Sequence, residues 1–265
     1  MLLPFGTGNA LYHSLHRIPP SADEIDIGTT ASQPSPYVQS LRTLIRGKAK
    51  PLPIFRARFS HGARLLTDEG QTAMRIMNNT LYGAVVASYG MHSTLVADSD
   101  TPEYRKHGAA RFGIVAQDLF FPPGAEPPHA FKARLTLNGQ IMGLLEHGYI
   151  LATLVSNLEQ TFTISPDSRP FDGQLRVVHF GALPGNEMME IMKAAYAGGT
   201  HTSIESVAYT PIETMRIDFL EPGLDPRWRR CCIDGLIVGV EEGGWMELDM
   251  LPESLAVVNV VARGD

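Results

Sequence analysis

Asn138-Gly139 follows Phe131-Lys132-Ala133-Arg134-Leu135-Thr136-Leu137, in which apolar and polar residues alternate. Alternation puts one face of a strand on a core and the other in water. Asn-Gly supplies the two residues that tolerate positive φ in a tight hairpin turn, so an antiparallel partner must follow. Segments of the same character recur from Pro53 onward. Residues 54–59, 82–97, 148–155, 162–164, 174–180, 204–208 and 214–219 read as strands, and another starts near Met74. Within the second of these, Gly83-Ala84-Val85-Val86-Ala87 reads as fully buried. Asp68-Glu69-Gly70 and Asp172-Gly173 read as turns. The last region runs through Cys231-Cys232-Ile233-Asp234-Gly235-Leu236-Ile237-Val238 and ends in an apolar strand over 254–261. Many strands separated by turn signals predict an antiparallel β-sandwich.

Helical signals are fewer. A short helix is expected from Asn9 to about His16; His13 and His16 lie one turn apart on it, with no carboxylate nearby to complete a metal site. Residues 17–36, rich in Pro, Ser, Thr and Asp, read as a loop. Ser35-Pro36 then opens a helix with Val38, Leu41, Leu44 and Ile45 on one face and Gly47 as its stop. Residues 186–196 form a further helix whose Met188, Met189, Ile191 and Met192 suit core packing.

Composition limits the function classes. A hydrophobic fraction of 44% supports a sizeable core, and a formal charge of −6 argues against general nucleic-acid binding. No Lys/Arg tract marks a patch for anionic membranes, so membrane contact is expected to be hydrophobic. The only two cysteines, Cys231 and Cys232, are adjacent, which excludes a disulfide framework and any zinc spacing. The chain starts without a basic signal-peptide region, and its longest apolar runs, such as 149–155, are far short of a membrane span. The expectation is a cytoplasmic protein, with peripheral contact at intracellular membranes left open.

The chemistry concentrates in residues 95–112. Asp98 and Asp100 come where the strand expected over 82–97 runs out. Thr101 suits an N-cap and Pro102 the first helical position, predicting a helix to about Phe120. Arg105, Lys106 and Arg111 fall in its first turns, the two arginines about 9 Å apart along the axis and about 120° apart around it. Two guanidinium groups so placed could grip a polyphosphate while the carboxylates face a substrate hydroxyl or amine. The alternative is that these charges are simply solvated, as charges at such junctions often are. Upstream, Pro4-Phe5-Gly6-Thr7-Gly8-Asn9-Ala10-Leu11 contains a Gly-x-Gly turn opening a helix, which can offer backbone N–H groups to a phosphate.

Taken together, Val96-Ala97-Asp98-Ser99-Asp100, Glu103-Tyr104-Arg105, Gly108 and Arg111-Phe112 resemble the signature of the sphingosine kinases, within the diacylglycerol-kinase-like lipid kinases. The string Leu3-Pro4-Phe5-Gly6-Thr7-Gly8-Asn9-Ala10 resembles a second hallmark of that family. Ser165-Pro166, Phe171-Asp172-Gly173 and Cys232-Ile233-Asp234-Gly235 are similar to its late motifs. The resemblance implies an α+β chain: a mainly antiparallel β-sandwich lipid domain over 51–265, preceded over 1–50 by a remnant of an α/β nucleotide-binding domain. It implies phosphate-binding roles for Gly6, Thr7, Gly8, Asn9, Arg105 and Arg111, and substrate-binding roles for Asp98 and Asp100. Asp234 and Gly235 are secondary candidates. It further implies ATP and Mg²⁺, and a lipid substrate that is a sphingoid base or diacylglycerol-like. The anionic Asp100 suits the ammonium of a sphingoid base.

Three departures qualify the resemblance. The spacer between Asp100 and Tyr104 is shorter than the family's. Leu236 stands where the family's late Asp-Gly motif usually continues with Glu. The family's Gly-Gly-Asp-Gly, whose aspartate deprotonates the acceptor hydroxyl, occurs nowhere in the 265 residues. The resemblance therefore implies the C-terminal portion of a lipid kinase, inactive alone, with its catalytic base upstream of Met1. The alternative is a non-catalytic lipid-binding or interaction protein. Nucleic acid is not an expected partner.

Overall fold

The computed structural model describes residues 2, 8–16, 35–108, 110–169, 171–223, 225–252 and 259–262. Gly6, Thr7, nearly all of the loop expected over 17–36 and most of the strand expected over 254–261 lie outside them. Two helices, α1 (Ala10–His16) and α2 (Pro36–Arg46), precede β1 (Lys48–Pro51), β2 (Phe55–Phe59), β3 (Arg64–Thr67), β4 (Thr72–Arg75), β5 (Thr80–Gly83) and β6 (Val86–Gly90). Three helices follow: α3 (Met91–Ser99), α4 (Pro102–Arg105) and α5 (Ala110–Phe120). Next come β7 (Phe131–Leu137), β8 (Gln140–Ile141), β9 (Glu146–Thr153) and β10 (Leu175–Gly181), then α6 (Gly185–Tyr196). The remainder is β11 (Ala208–Ile212), β12 (Thr214–Phe219), β13 (Arg230–Ile233), β14 (Leu236–Gly239), β15 (Trp245–Met250) and β16 (Asn259–Ala262).

Where a sandwich predicts two sheets, the described strands other than β1 and β16 form one large, curled antiparallel sheet in the order β4-β3-β14-β13-β6-β9-β7-β12-β15-β2-β5. β10 adds to β9 and carries β11, and β8 adds to β7. The path turns where β7 meets β9 over only Phe131↔His147 and Lys132↔Glu146. β1 and β16 pair separately, Lys48↔Ala262 to Pro51↔Asn259, so the expected boundary at 50/51 falls inside a strand that joins the early chain to the late one.

Alternation explains the β7-to-β5 side of this sheet. Phe55, Ala57, Phe59, Phe131, Ala133, Leu135, Met215, Ile217, Phe219, Met246 and Leu248 are all buried in the core. The residues between them carry charges on the outer face, where Arg56 donates to Asp249 at 2.6 and 3.2 Å. β9 and β10 differ, being buried almost throughout. α3 packs on β6, β9 and β13, and α5 bridges α3 and α6, so this part of the sheet has helices over it. The expected hairpin at Asn138-Gly139 forms with positive φ at both turn residues, 49° and 80°, and a second Asx-Gly hairpin, not expected, forms at Asp234-Gly235 with 49° and 90°. Ser35 caps α2 by accepting from the Val38 N–H at 3.4 Å.

Several expectations are corrected. Residues 82–97 are not one strand: β5 ends at Gly83, β6 at Gly90, and α3 takes the rest. The stretch shows neither a clear two-residue nor a clear 3.6-residue period to separate strand from helix, and Ala84 and Val85, expected as fully buried, are only half-buried. The helix expected over 101–120 is broken at Lys106–Gly108, where Gly108 has φ +56°. Residues 162–164 contribute only an isolated bridge, Asn157↔Thr163. The strand expected over 204–208 begins at Ala208 instead; it tolerates Pro211 because β11 pairs only with β10.

Candidate functional site

Gly90 determines where the two aspartates go. Its φ is +92°, and a Cβ there would lie 2.8 Å from the Gly148 carbonyl oxygen. Only glycine lets β6 lie this close to β9 and pass at once into α3. Ser93, in the first turn of α3, donates to the carbonyls of Gly90 (3.0 Å) and Arg230 (2.8 Å), which fastens the helix to β13. Asp98 therefore sits at the C-terminal turn of a helix, not at a strand end, and it lies beside the start of β13.

Both oxygens of Asp98 are engaged. Oδ2 accepts from Arg227 Nε (3.2 Å) and Nη2 (2.7 Å), and Oδ1 from Arg230 Nη2 (2.6 Å). Asp98 and Arg230 are mostly buried, whereas Arg227 is nearly half exposed. Asp100 ends α3 and makes the second cluster. It accepts a bidentate pair from Arg105, 2.9 Å for each bond, and Arg111 Nη2 lies 3.9 Å from Oδ1. The Arg105 guanidinium holds the Asp100 carboxyl below its ordinary pKa, with Arg111 adding to the effect.

The broken helix produces this convergence. Thr101 caps α4 by accepting from the Tyr104 N–H at 3.4 Å, as expected, and α4 stops at Arg105. The turn at Lys106–Gly108 redirects the chain, so Arg111 comes from a separate helix. Both guanidiniums then face one carboxylate instead of standing about 120° apart on one axis. Arg111 lies over the Phe112 ring at 4.9 Å, and its Nε is buried without a partner among the described residues.

The other candidates lie elsewhere. Asp234 turns the β13–β14 hairpin, and its carboxylate accepts from the N–H groups of Ala84 (2.6 Å), Val85 (3.0 Å) and Val86 (2.7 Å). It ties the hairpin to the link between β5 and β6, which is a structural role. Gly235 supplies the second positive-φ position, and Leu236 is exposed beside it. Four residue steps of strand separate Asp234 from Arg230, about 13 Å along β13, so Asp234 and Asp98 mark opposite ends of that strand. Asn9 has φ +50° at the start of α1, and a Cβ on Gly8 would lie 2.9 Å from the Leu158 carbonyl oxygen. Ser14 of α1 bonds with the Asn157 backbone, and Leu11 and Leu15 share a small cavity with Ala84. That arrangement puts α1 beside the turn that Asp234 holds.

Sequence reasoning missed Arg227 and Arg230, the partners of Asp98. The signal available was local: three arginines crowd into Arg227-Trp228-Arg229-Arg230. Arg229 is buried and donates to the carbonyls of Glu221, Gly223 and Val240, which leaves its two arginine neighbours to face Asp98. Trp228 stacks on His129 at 4.0 Å, and His129 in turn bonds Glu221 at 2.9 Å.

The fold is that of the diacylglycerol-kinase-like proteins. A solved structure of a protein from Bacillus anthracis, provisionally assigned as a diacylglycerol kinase, superposes with a TM-score of 0.57 at 12% identity, covering 98% of this chain and 68% of that one. A second diacylglycerol kinase structure from the same organism gives a TM-score of 0.53 at 11% identity, over 98% of this chain and 65% of the other. The chain thus spans about two thirds of the length of these proteins, and at such identities the likeness is one of fold. No protein-family model matches the chain, and no curated protein matches its sequence. No described helix is long and apolar enough to cross a membrane.

Proposed function

We propose that this chain carries the lipid-facing part of an ATP-dependent lipid kinase, acting on a sphingoid base or a related lipid hydroxyl. The observation that carries the reading is the convergence of Arg105 and Arg111 on Asp100, within a fold shared with diacylglycerol kinase structures. The Asp100–Arg105 pair is about half exposed on both sides. A pair so exposed contributes little to stability, because water screens it. An arrangement that stabilises so little, yet pre-orients two guanidiniums, suits anion binding, with Asp100 holding the place a phosphate would take. Phosphoryl transfer depends on such positioned cations. Gly8 and Asn9 lie with α1 at the Asp234 end of β13, away from Arg105 and Arg111, so a phosphate-binding role for Gly6, Thr7, Gly8 and Asn9 would be separate from that of the two arginines.

The donors fit the phosphates of ATP. They do not fit a dedicated magnesium site: among the described residues no three His, Cys, Asp or Glu side chains come together to hold a metal, and Asp98 and Asp100 are both engaged by arginines. No step is therefore assigned to a metal held by these residues. A second reading, a non-catalytic lipid-binding protein, is favoured by the same engaged carboxylates.

ATP binding and phosphate transfer to sphingosine and to diacylglycerol, measured for the wild type and for Arg105→Glu and Arg111→Glu, test the proposal. Each reversal is expected to weaken ATP binding at least tenfold while lipid binding stays within about twofold, since a charge-assisted bond to an anion is worth roughly 1.5–3 kcal/mol. ATP affinity unchanged by both reversals would discard the nucleotide assignment and leave the second reading.

A further inference from the structure

α2 is mounted inside out. Its buried residues are polar, Ser40 and Thr43, while Tyr37, Val38, Leu41, Leu44 and Ile45 are between 42% and 79% exposed. The polar face is held inward by α1: Tyr12 donates to the Pro36 carbonyl at 3.0 Å, and His16 Nε2 meets the Thr43 hydroxyl at 3.2 Å. At 3.6 residues per turn the five apolar side chains occupy an arc of roughly 120°. Arg42 and Arg46 fall next to that arc on one flank, both exposed, and exposed Lys48 follows the helix. Residues 35–50 contain four basic side chains and no carboxylate, in a chain whose formal charge is −6.

We infer that this face of α2 docks on an anionic lipid bilayer. An apolar arc edged by arginines is what an interfacial helix presents, with the aliphatic groups sunk among acyl chains and the cations reaching the headgroup phosphates. The local reversal of charge selects anionic lipid over a neutral surface. Arg42 and Arg46 form no tract in the sequence; their spacing of four places them along one flank of the helix, and Lys48 follows it at the start of β1. The inference deepens the lipid kinase reading and rests on it only in preferring a bilayer to a protein as the occupant. Docking α2 would hold the chain at the surface where a lipid substrate resides.

Flotation of the purified chain with phosphatidylcholine vesicles, with and without phosphatidylserine, tests this. Binding is expected only with phosphatidylserine, and is expected to fall as salt is raised. Leu41→Glu with Ile45→Glu should weaken it more than tenfold. Arg42→Gln with Arg46→Gln should weaken it by about 25-fold, from roughly fivefold per cation at an anionic surface. All four positions are exposed, so unchanged circular dichroism and melting separate loss of docking from loss of fold. Absent binding, or binding that both variants leave intact, overturns the inference. So does a self-associating wild type that binds no vesicles and that Leu41→Glu with Ile45→Glu renders monomeric, which would assign the face to a second copy. The assay contains neither ATP nor lipid substrate, so its failure leaves the phosphotransfer reading standing, and failure of that reading leaves a positive flotation result intact.

Discussion

Replacing Asp98 with alanine should destabilise the fold, whereas replacing Asp100 should not. Asp98 accepts three charge-assisted bonds from two arginines that arrive from the turn before β13 and from β13 itself. The Arg227 half of the cluster is solvated and is worth at most about 1 kcal/mol. The Arg230 half is shielded, with both side chains no more than one-fifth exposed. A hydrogen bond to a charged group there is worth roughly 1.5–3 kcal/mol, and its loss leaves a desolvated guanidinium unpaired. Asp98→Ala should therefore cost about 2–4 kcal/mol, and Asp100→Ala less than about 1 kcal/mol. Urea unfolding with matched m-values measures both, and a double-mutant cycle between Asp98→Ala and Arg230→Ala isolates the pair. Equal costs for the two aspartates, or a coupling near zero for Asp98 with Arg230, would refute the assignment of Asp98 to structure and Asp100 to the site.

Two further outcomes are expected. Asp234→Ala removes the acceptor for three backbone N–H groups and puts alanine at φ +49°, so it should destabilise by about 2–4 kcal/mol; Asp234→Asn, which keeps an acceptor and tolerates that φ, should cost about half as much in the same unfolding assay. Burial lowers the pKa of His92 and of His179 to about 4, and lowers that of His147, which bonds His179 at 2.8 Å. All three are neutral in the fold, whereas an unfolded histidine takes up a proton below about pH 6.5, so their stabilising contribution is complete above that pH. It should be lost as pH falls toward 4, by about 2 kcal/mol for each of His92 and His179 at pH 5. Thermal melting between pH 7 and pH 5 that shows no decline, or a decline unaltered in His179→Gln, would contradict this.

Residues whose partners are close in sequence were legible. Asn138-Gly139, Ser35-Pro36 and Thr101-Pro102 each carry a local geometric demand, and each forms the turn or cap it predicts. The misassigned stretch 82–97 was opaque because its burial comes from elsewhere: β9 on one side of β6, β13 on the other, and α3 folded back on all three. Gly90 was the residue that ends the strand, but its reason for being glycine is the Gly148 carbonyl, 58 positions later. The candidate site divides the same way. Asp100 and Arg105 lie five residues apart in the stretch singled out, but their pairing with each other was not expected, since the sequence set Asp100 against substrate and Arg105 against phosphate. The capture of Asp98 depends on Arg227 and Arg230, 129 and 132 positions downstream, which no periodicity connects. α2 reverses the usual inference. Its period correctly gathered Val38, Leu41, Leu44 and Ile45 on one face. Amphipathicity, however, says only that one face differs from the other; the bonds from Tyr12 and His16 decide which face turns inward, and here they hold the polar one. A helix with its apolar arc outward loses the burial that normally stabilises short helices, and seating that arc among acyl chains would restore it.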